Sequence, residues 1–248
     1  MEPIGFDESN LTAQLVEKQL GLWSARRRAS REGFSSGQGF RFVTLAADEG
    51  CLANEIAQEL SSLLGWHVFD KEIVTYIAKN SHISDKLVKE LDQKSQNFIQ
   101  DEIERLLKMP EFASFGSDEY HEGLLGTLMC LATHGAAILM GRGANFALRE
   151  NAHGLHVRFF SSPEVRIRRL SKSWRITEVD ARHRMEADDK EIRKFIRHYY
   201  YHDFDDLRFY DIVFNTDRCA FPSVASCIQA YMKHAEASPA GMDKAVVS

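Results

Sequence analysis

Phe40-Arg-Phe-Val-Thr-Leu-Ala-Ala-Asp-Glu-Gly-Cys-Leu-Ala-Asn-Glu-Ile-Ala-Gln-Glu-Leu60 is the stretch on which the fold turns. Its opening, Phe40–Ala46, is β-branched and aromatic and reads as a buried strand. Leu52, Ile56, Leu60, Leu63 and Leu64 then recur at helical spacing, and Gly65 supplies a stop. Between them lies a short loop, Ala47–Cys51. A helix that starts just beyond a strand leaves its first amides pointing at the loop, a weak anion site in itself.

Working outward, four further apolar segments read as strands: Trp66–Phe69, Ala136–Met140, Leu155–Phe160 and Tyr210–Asn215. Helical spacing is expected over Lys71–Asn80, Ser84–Lys94, Phe98–Lys108 and Tyr120–Thr133, with a loop over Pro110–Ser117. Ser162-Pro163-Glu164 is a helix start, with a cap, a first-turn proline and an acid at the positive end. Thr177-Glu-Val-Asp180 opens another helix that runs to Tyr200, and Pro222 opens a last one ending near His234. Short apolar strands alternating with helices predict an α/β fold: a five-stranded parallel sheet flanked by helices. Ligands of such sheets bind beyond the carboxyl ends of the strands. The chain divides by pattern into an N-terminal appendage (1–39), a main domain (40–234) and a small, polar tail (235–248). In the appendage, Leu11–Leu22 reads as a short helix running into the basic stretch Ser24–Arg31.

Composition narrows the function. The chain has 248 residues, 44% hydrophobic and 27% charged, with a formal net charge of −5. That is a globular composition without the basic excess of a general nucleic-acid binder. No apolar run reaches the ~20 residues of a membrane span, and no signal peptide is apparent. Cys51, Cys130, Cys219 and Cys227 form no CxxC pair, so no zinc site is expected and reduced thiols in a cytoplasmic protein are. Against the acidic background, Arg158–Arg197 holds 12 basic and 7 acidic residues. Such a basic segment suits a phosphate, or else a salt-bridged helical surface.

The combination of Val43–Leu64, Val68-Phe-Asp-Lys-Glu-Ile-Val74, Leu139-Met-Gly-Arg-Gly-Ala-Asn-Phe146, Glu164-Val-Arg-Ile-Arg-Arg169 and Asp211-Ile-Val-Phe-Asn-Thr-Asp217 resembles the cytidylate kinase-like family. This is a branch of the P-loop nucleoside monophosphate kinases. The resemblance implies a core sheet carrying ATP and Mg2+, a helical acceptor-side insertion at 81–133 and a basic LID-like segment at 162–200. It implies a (d)CMP-type acceptor facing Asp70, Lys71, Arg142 and Asn145. Arg142, Arg168, Arg193 and Arg197 would meet the phosphates, because arginine forks pair with phosphate oxygens. Asp189 would orient those arginines or hold magnesium through water. Phosphoryl transfer needs such positioning and charge more than covalent help.

The loop that would hold the donor, Gly50, Cys51, Leu52, Ala53 and Asn54, departs from the pattern G-x-x-x-x-G-K-[ST]. Leu52, Ala53 and Asn54 stand where glycines and a basic residue are expected, and Asp48 and Glu49 bring negative charge near the phosphates. Two readings follow. One is an ATP-dependent transferase with a non-standard loop. The other is an inactive homologue that senses a nucleotide or meets a protein partner through its N-terminal segment. The aromatic run Tyr199-Tyr200-Tyr201-His202 with Phe204 reads as core packing, a base platform or a subunit contact. With the appendage, it offers apolar surface for a homodimer.

Overall fold

The computed structural model describes residues 8–30, 39–107 and 119–237. It divides into two compact units, residues 1–37 and 38–248. In the first, α1 spans Glu8–Ser30, longer than the Leu11–Leu22 expected. Its leucines, alanines, glutamines and arginines are strong helix formers and carry the helix through Gly21.

The second unit is built on a five-stranded, all-parallel sheet in the order β2-β3-β1-β4-β5. The strands are β1 (Phe42–Ala47), β2 (His67–Phe69), β3 (Ala137–Met140), β4 (Gly154–Phe160) and β5 (Ile212–Asn215). The register sets Thr44 opposite Leu139 of β3 and His156 of β4. β1 is thus central and apolar on both sides, as a covered parallel sheet requires. Val43, Leu45, Val157 and Phe159 face α2 (Ala53–Leu64) and α10 (Phe221–Ala237) in one core, with Ile56, Leu60, Val224 and Ile228. Each such side chain, if fully buried, contributes about 1.5–3 kcal/mol. Elsewhere α3 (Lys71–Lys79) packs against α6 (Glu119–His134), which also meets α4 (Ser81–Lys89) and α5 (Gln93–Leu107).

Several boundaries differ from expectation, two of them for clear local reasons. The helix expected over Ser84–Lys94 ends at Lys89, because Asp92 accepts from the Ser95 amide (2.8 Å) and starts α5 at Gln93. β5 starts at Ile212, because the Tyr210 amide closes a turn on the Leu207 carbonyl (3.1 Å). α10 runs past His234 into the expected tail, to Ala237. The expected loop at Pro110–Ser117 and the rest of the tail lie outside the described residues.

After β4 come α8 (Pro163–Trp174) and α9 (Glu178–Tyr200), with α7 (Ala144–Ala147) preceding β4. Thr177 caps α9 by accepting from the Asp180 amide (3.1 Å). This pair has its own small core of Ile167, Leu170, Ala181 and Met185. No helix among the described residues is long and apolar enough to cross a membrane.

Candidate functional site: a neutralised loop beside an open arginine fork

The carboxyl ends of β1, β3 and β4 meet the α8–α9 pair. β1 ends at Ala47 and the loop that follows bends back through Asp48. Asp48 is 7% exposed, a carboxylate that must be paired to be buried. Its two oxygens accept from Arg158 Nη2 on β4 (2.5 Å) and Arg193 Nη1 on α9 (3.0 Å). Asp205 closes a four-membered cluster, accepting from Arg158 at 3.2 Å and from Arg193 Nε at 2.9 Å. Both guanidinium groups lie over the Phe204 ring, 4.3 and 5.4 Å from its centroid. Burial pushes the Asp48 carboxyl up, but Arg158, with help from Arg193 and Arg166, outweighs it and holds the group below the ordinary value. Two arginines and two aspartates therefore balance within the cluster.

The rest of the loop is tied to α8. Arg166, 5% exposed, donates from Nε to the Glu49 carbonyl (2.7 Å) and grips Asp189 with both Nη atoms (2.9 and 2.6 Å). Arg169 donates to the Gly50 carbonyl (3.1 Å) and the Thr216 carbonyl (2.5 Å). Gly50, at φ +85°, sits against α8: a Cβ there would lie 3.1 Å from Leu170 Cγ and 3.2 Å from Arg166 Cβ. The glycine thus serves close packing on the helix. Leu52 caps α2 in the left-handed region (φ 60°), where a glycine would carry no steric penalty. Cys51 is buried, and burial lifts its thiol to about 12, with the Asp48 charge adding to the effect. Burial also raises the Glu49 carboxyl, against the pull of Lys71. Ala53 begins α2 and is partly buried, and Asn54 is exposed in its first turn.

The turn after β3 is different. Gly141-Arg142-Gly143 runs through three left-handed residues, with φ of 72°, 53° and 70°. Tyr200, at the end of α9, donates its hydroxyl to the Arg142 carbonyl (2.7 Å). A Cβ on Gly143 would lie 2.0 Å from the Tyr200 ring, so only glycine fits. The Arg142 Nε donates to Thr75 Oγ1 on α3 (2.8 Å), and its guanidinium lies 5.1 Å from the Phe195 ring centroid. Among the described residues, the two Nη groups of Arg142 have no protein partner.

Asp70 caps α3, accepting from the Ile73 amide (2.9 Å). Lys71 is exposed next to Glu72 (3.7 Å), and its Cβ lies 3.8 Å from a Cβ built on Gly141. Asn145 is buried in α7 beside the Tyr210 hydroxyl. Of the predicted residues, Arg142 and Lys71 therefore meet at one turn, with Asp70 at the head of the same helix. Arg193 and Asp189 gather at the loop, where Asp189 orients Arg166. Arg168 and Arg197 are exposed, and among the described residues Arg197 makes a long pair with Asp203 (3.9 Å). Arg158, Arg166, Arg169 and Asp205 were not singled out from the sequence. Arg158 had a signal: a charge inside an otherwise apolar, buried strand needs a partner. Among the described residues, no group of three or more His, Cys, Asp or Glu is placed to hold a metal.

An α/β fold on an all-parallel five-stranded sheet, with the β1 loop and the β3 turn side by side at its carboxyl edge, is the class that this geometry defines. The model of the cytidylate kinase-like family matches residues 42–218, more than half the chain, and the protein belongs to that family. Among solved structures, an uncharacterised protein from Eubacterium ventriosum is similar at 16% identity, with a TM-score of 0.53, over 78% of this chain and 98% of its own. A shikimate kinase from Acinetobacter baumannii in complex with shikimate matches at 15% identity and a TM-score of 0.42, over 84% and 97% of the two chains. A shikimate kinase from Bacteroides thetaiotaomicron matches at 14% and 0.43, over 78% and 98%. No curated protein matches the sequence.

Kinase-like family membership implies a nucleotide and Mg2+. The residues of the β1 loop do not fit a triphosphate as they stand. Asp48 already holds Arg158 and Arg193, Asp189 holds Arg166, and Ala53 and Asn54 stand after Leu52 with no lysine among them. A phosphate entering ~4 Å from Asp48 meets a repulsion of about 1–4 kcal/mol, depending on exposure.

Proposed function

We propose that this protein is a catalytically silent member of its family, which binds a phosphomonoester of the (d)CMP type at the β3 turn and does not transfer phosphate to it. One observation carries the reading: among the described residues Arg142 is held by its Nε and backbone with both Nη groups open, whereas the arginines around the β1 loop are paired with the chain's own carboxylates. A fork fixed in this way is ready for two oxygens of one phosphate. Such a module signals occupancy to a partner, and the N-terminal unit (1–37) is the segment we assign to that contact.

The transferase reading keeps one point in its favour. Leu52 holds the left-handed backbone that a glycine of a phosphate-binding loop adopts freely, which supports that reading despite its side chain. Calorimetric titration with CMP and with Mg·ATP, followed by a phosphotransfer assay on the pair, separates the two. The silent-module reading expects heat with CMP, none with Mg·ATP up to millimolar concentration, and no CDP. CDP formation, or micromolar Mg·ATP binding, would overturn it.

A further inference from the structure

We infer that the β1 loop covers an oxyanion site built from Arg158 and Arg193, and that Asp48 of the same chain is its resident anion. The site would take a tetrahedral oxyanion, as inorganic phosphate or as the phosphoryl end of a nucleotide, once that carboxylate is removed. The inference deepens the reading of the loop given above.

Three features separate this cluster from an ordinary surface ion pair. Arg158 is 3% exposed and extends from the central part of the sheet, so its charge is built into the core. A buried guanidinium left alone is strongly unfavourable, so the fold requires an anion there. That anion comes from the loop at the carboxyl end of β1, beside β4, where sheets of this type bind their ligands. Finally, the two arginines approach Asp48 from different elements, Arg158 from β4 and Arg193 from α9, and converge on its two separate oxygens. A phosphate offers the same two acceptors and more. Asp205, which bridges both arginines on the other side, keeps them in place when Asp48 is gone. Exclusion of a donor nucleotide from the wild-type loop is then competition by a tethered carboxylate, and it is lifted by changing one residue.

The test compares the wild-type chain with Asp48→Ser and Asp48→Asn in thermal melts. Sodium phosphate is titrated against sodium chloride at equal ionic strength. We expect phosphate to raise the wild-type Tm only by the small increment that the Arg142 fork and general salt exclusion supply, an increment that the variants share. Each variant should melt lower in chloride, by on the order of 10 °C, and regain most of that loss in millimolar phosphate with one-site saturation. If Asp48→Ser does not fold in chloride, refolding in phosphate is the expected result, and Asp48→Asn, which keeps the side-chain shape, is read in the same way. The inference falls if neither variant gains from phosphate, or if the wild type gains as much as the variants. Repeating the titration with ATP distinguishes the sources. Stabilisation by phosphate alone assigns the site to a free oxyanion, and stabilisation by both assigns it to a phosphoryl group. The result is independent of CMP binding and of turnover, so it stands apart from failure of the silent-module reading.

Discussion

The β1 loop and the β3 turn end adjacent strands, and both contain left-handed residues and both are met by α9, yet their charges are organised in opposite ways. At the β1 loop every arginine found in the cluster meets an aspartate or a main-chain carbonyl of the same protein. At the β3 turn one arginine is clamped by a threonine, an aromatic ring and a tyrosine, and among the described residues its fork is left open. The first arrangement is a structural brace, since removing either side exposes a buried charge. The second is the arrangement we propose as a binding group, since among the described residues its ordering is achieved without a counter-ion. One fold can therefore carry two arginine-bearing ends whose charges are arranged for different tasks.

The largest expected effect breaks the brace. Arg158→Ala leaves Asp48 buried with one partner and should lower stability by about 3–5 kcal/mol, measured by urea denaturation. A loss below ~1 kcal/mol would place the cluster among surface pairs and dissolve the contrast. The next effect tests the sheet beneath both ends. His156 is buried, with Nδ1 2.8 Å from Thr44 Oγ1. Burial, only partly opposed by Asp211, lowers its pKa to about 4, against 6.5 for the free group. The unfolded chain thus binds a proton that the folded chain does not between those values. Stability should fall as pH drops from about 6.5 toward 4, by about 2–3 kcal/mol at pH 4.5. The measurement is the difference between denaturation at pH 7.5 and pH 4.5, for the wild type and for His156→Asn. An equal fall in both proteins would remove His156 as the cause.

The smallest effect on stability should come from the β3 turn. Arg142→Ala is expected to change stability by less than ~1 kcal/mol and yet to weaken CMP binding about 30-fold, the loss of about 2 kcal/mol of charge-assisted hydrogen bonding. Calorimetry and a melt on the same sample check both halves. Unchanged CMP affinity would remove Arg142 from the site.

Much of this architecture is legible in the residues alone. Continuous apolar runs and period-3.6 patterns suffice for five strands and their helices, because the strands of a covered sheet are buried on both faces and each helix buries one stripe. The β3 turn is legible as well: Gly141 and Gly143 bracket an arginine, and left-handed backbone explains both glycines. The β1 loop was legible only as a departure. Asp48 reads in sequence as a charge facing a ligand, and the structure turns it inward onto partners 110 and 145 residues away. Such pairing follows from how the strands and α9 converge, and no local pattern records it. Gly50 carries the same lesson. Its presence suggests close approach by a phosphate, and the approaching group in the structure is the α8 helix.

One helix joins the two ends. Arg193, which grips the loop, and Tyr200, which holds the β3 turn, are seven residues apart on α9, a separation of about 10 Å along its axis. A helix does not stretch, so α9 behaves as a ruler laid across the crevice. Any ligand that draws the Arg142 turn by an ångström must either rotate that ruler or strain the grip on Asp48. The spacing between the β1 loop and the β3 turn is thereby set by seven peptide units, and an insertion of one residue between Arg193 and Tyr200 would swing the tyrosine by about 100° and leave the turn without its latch.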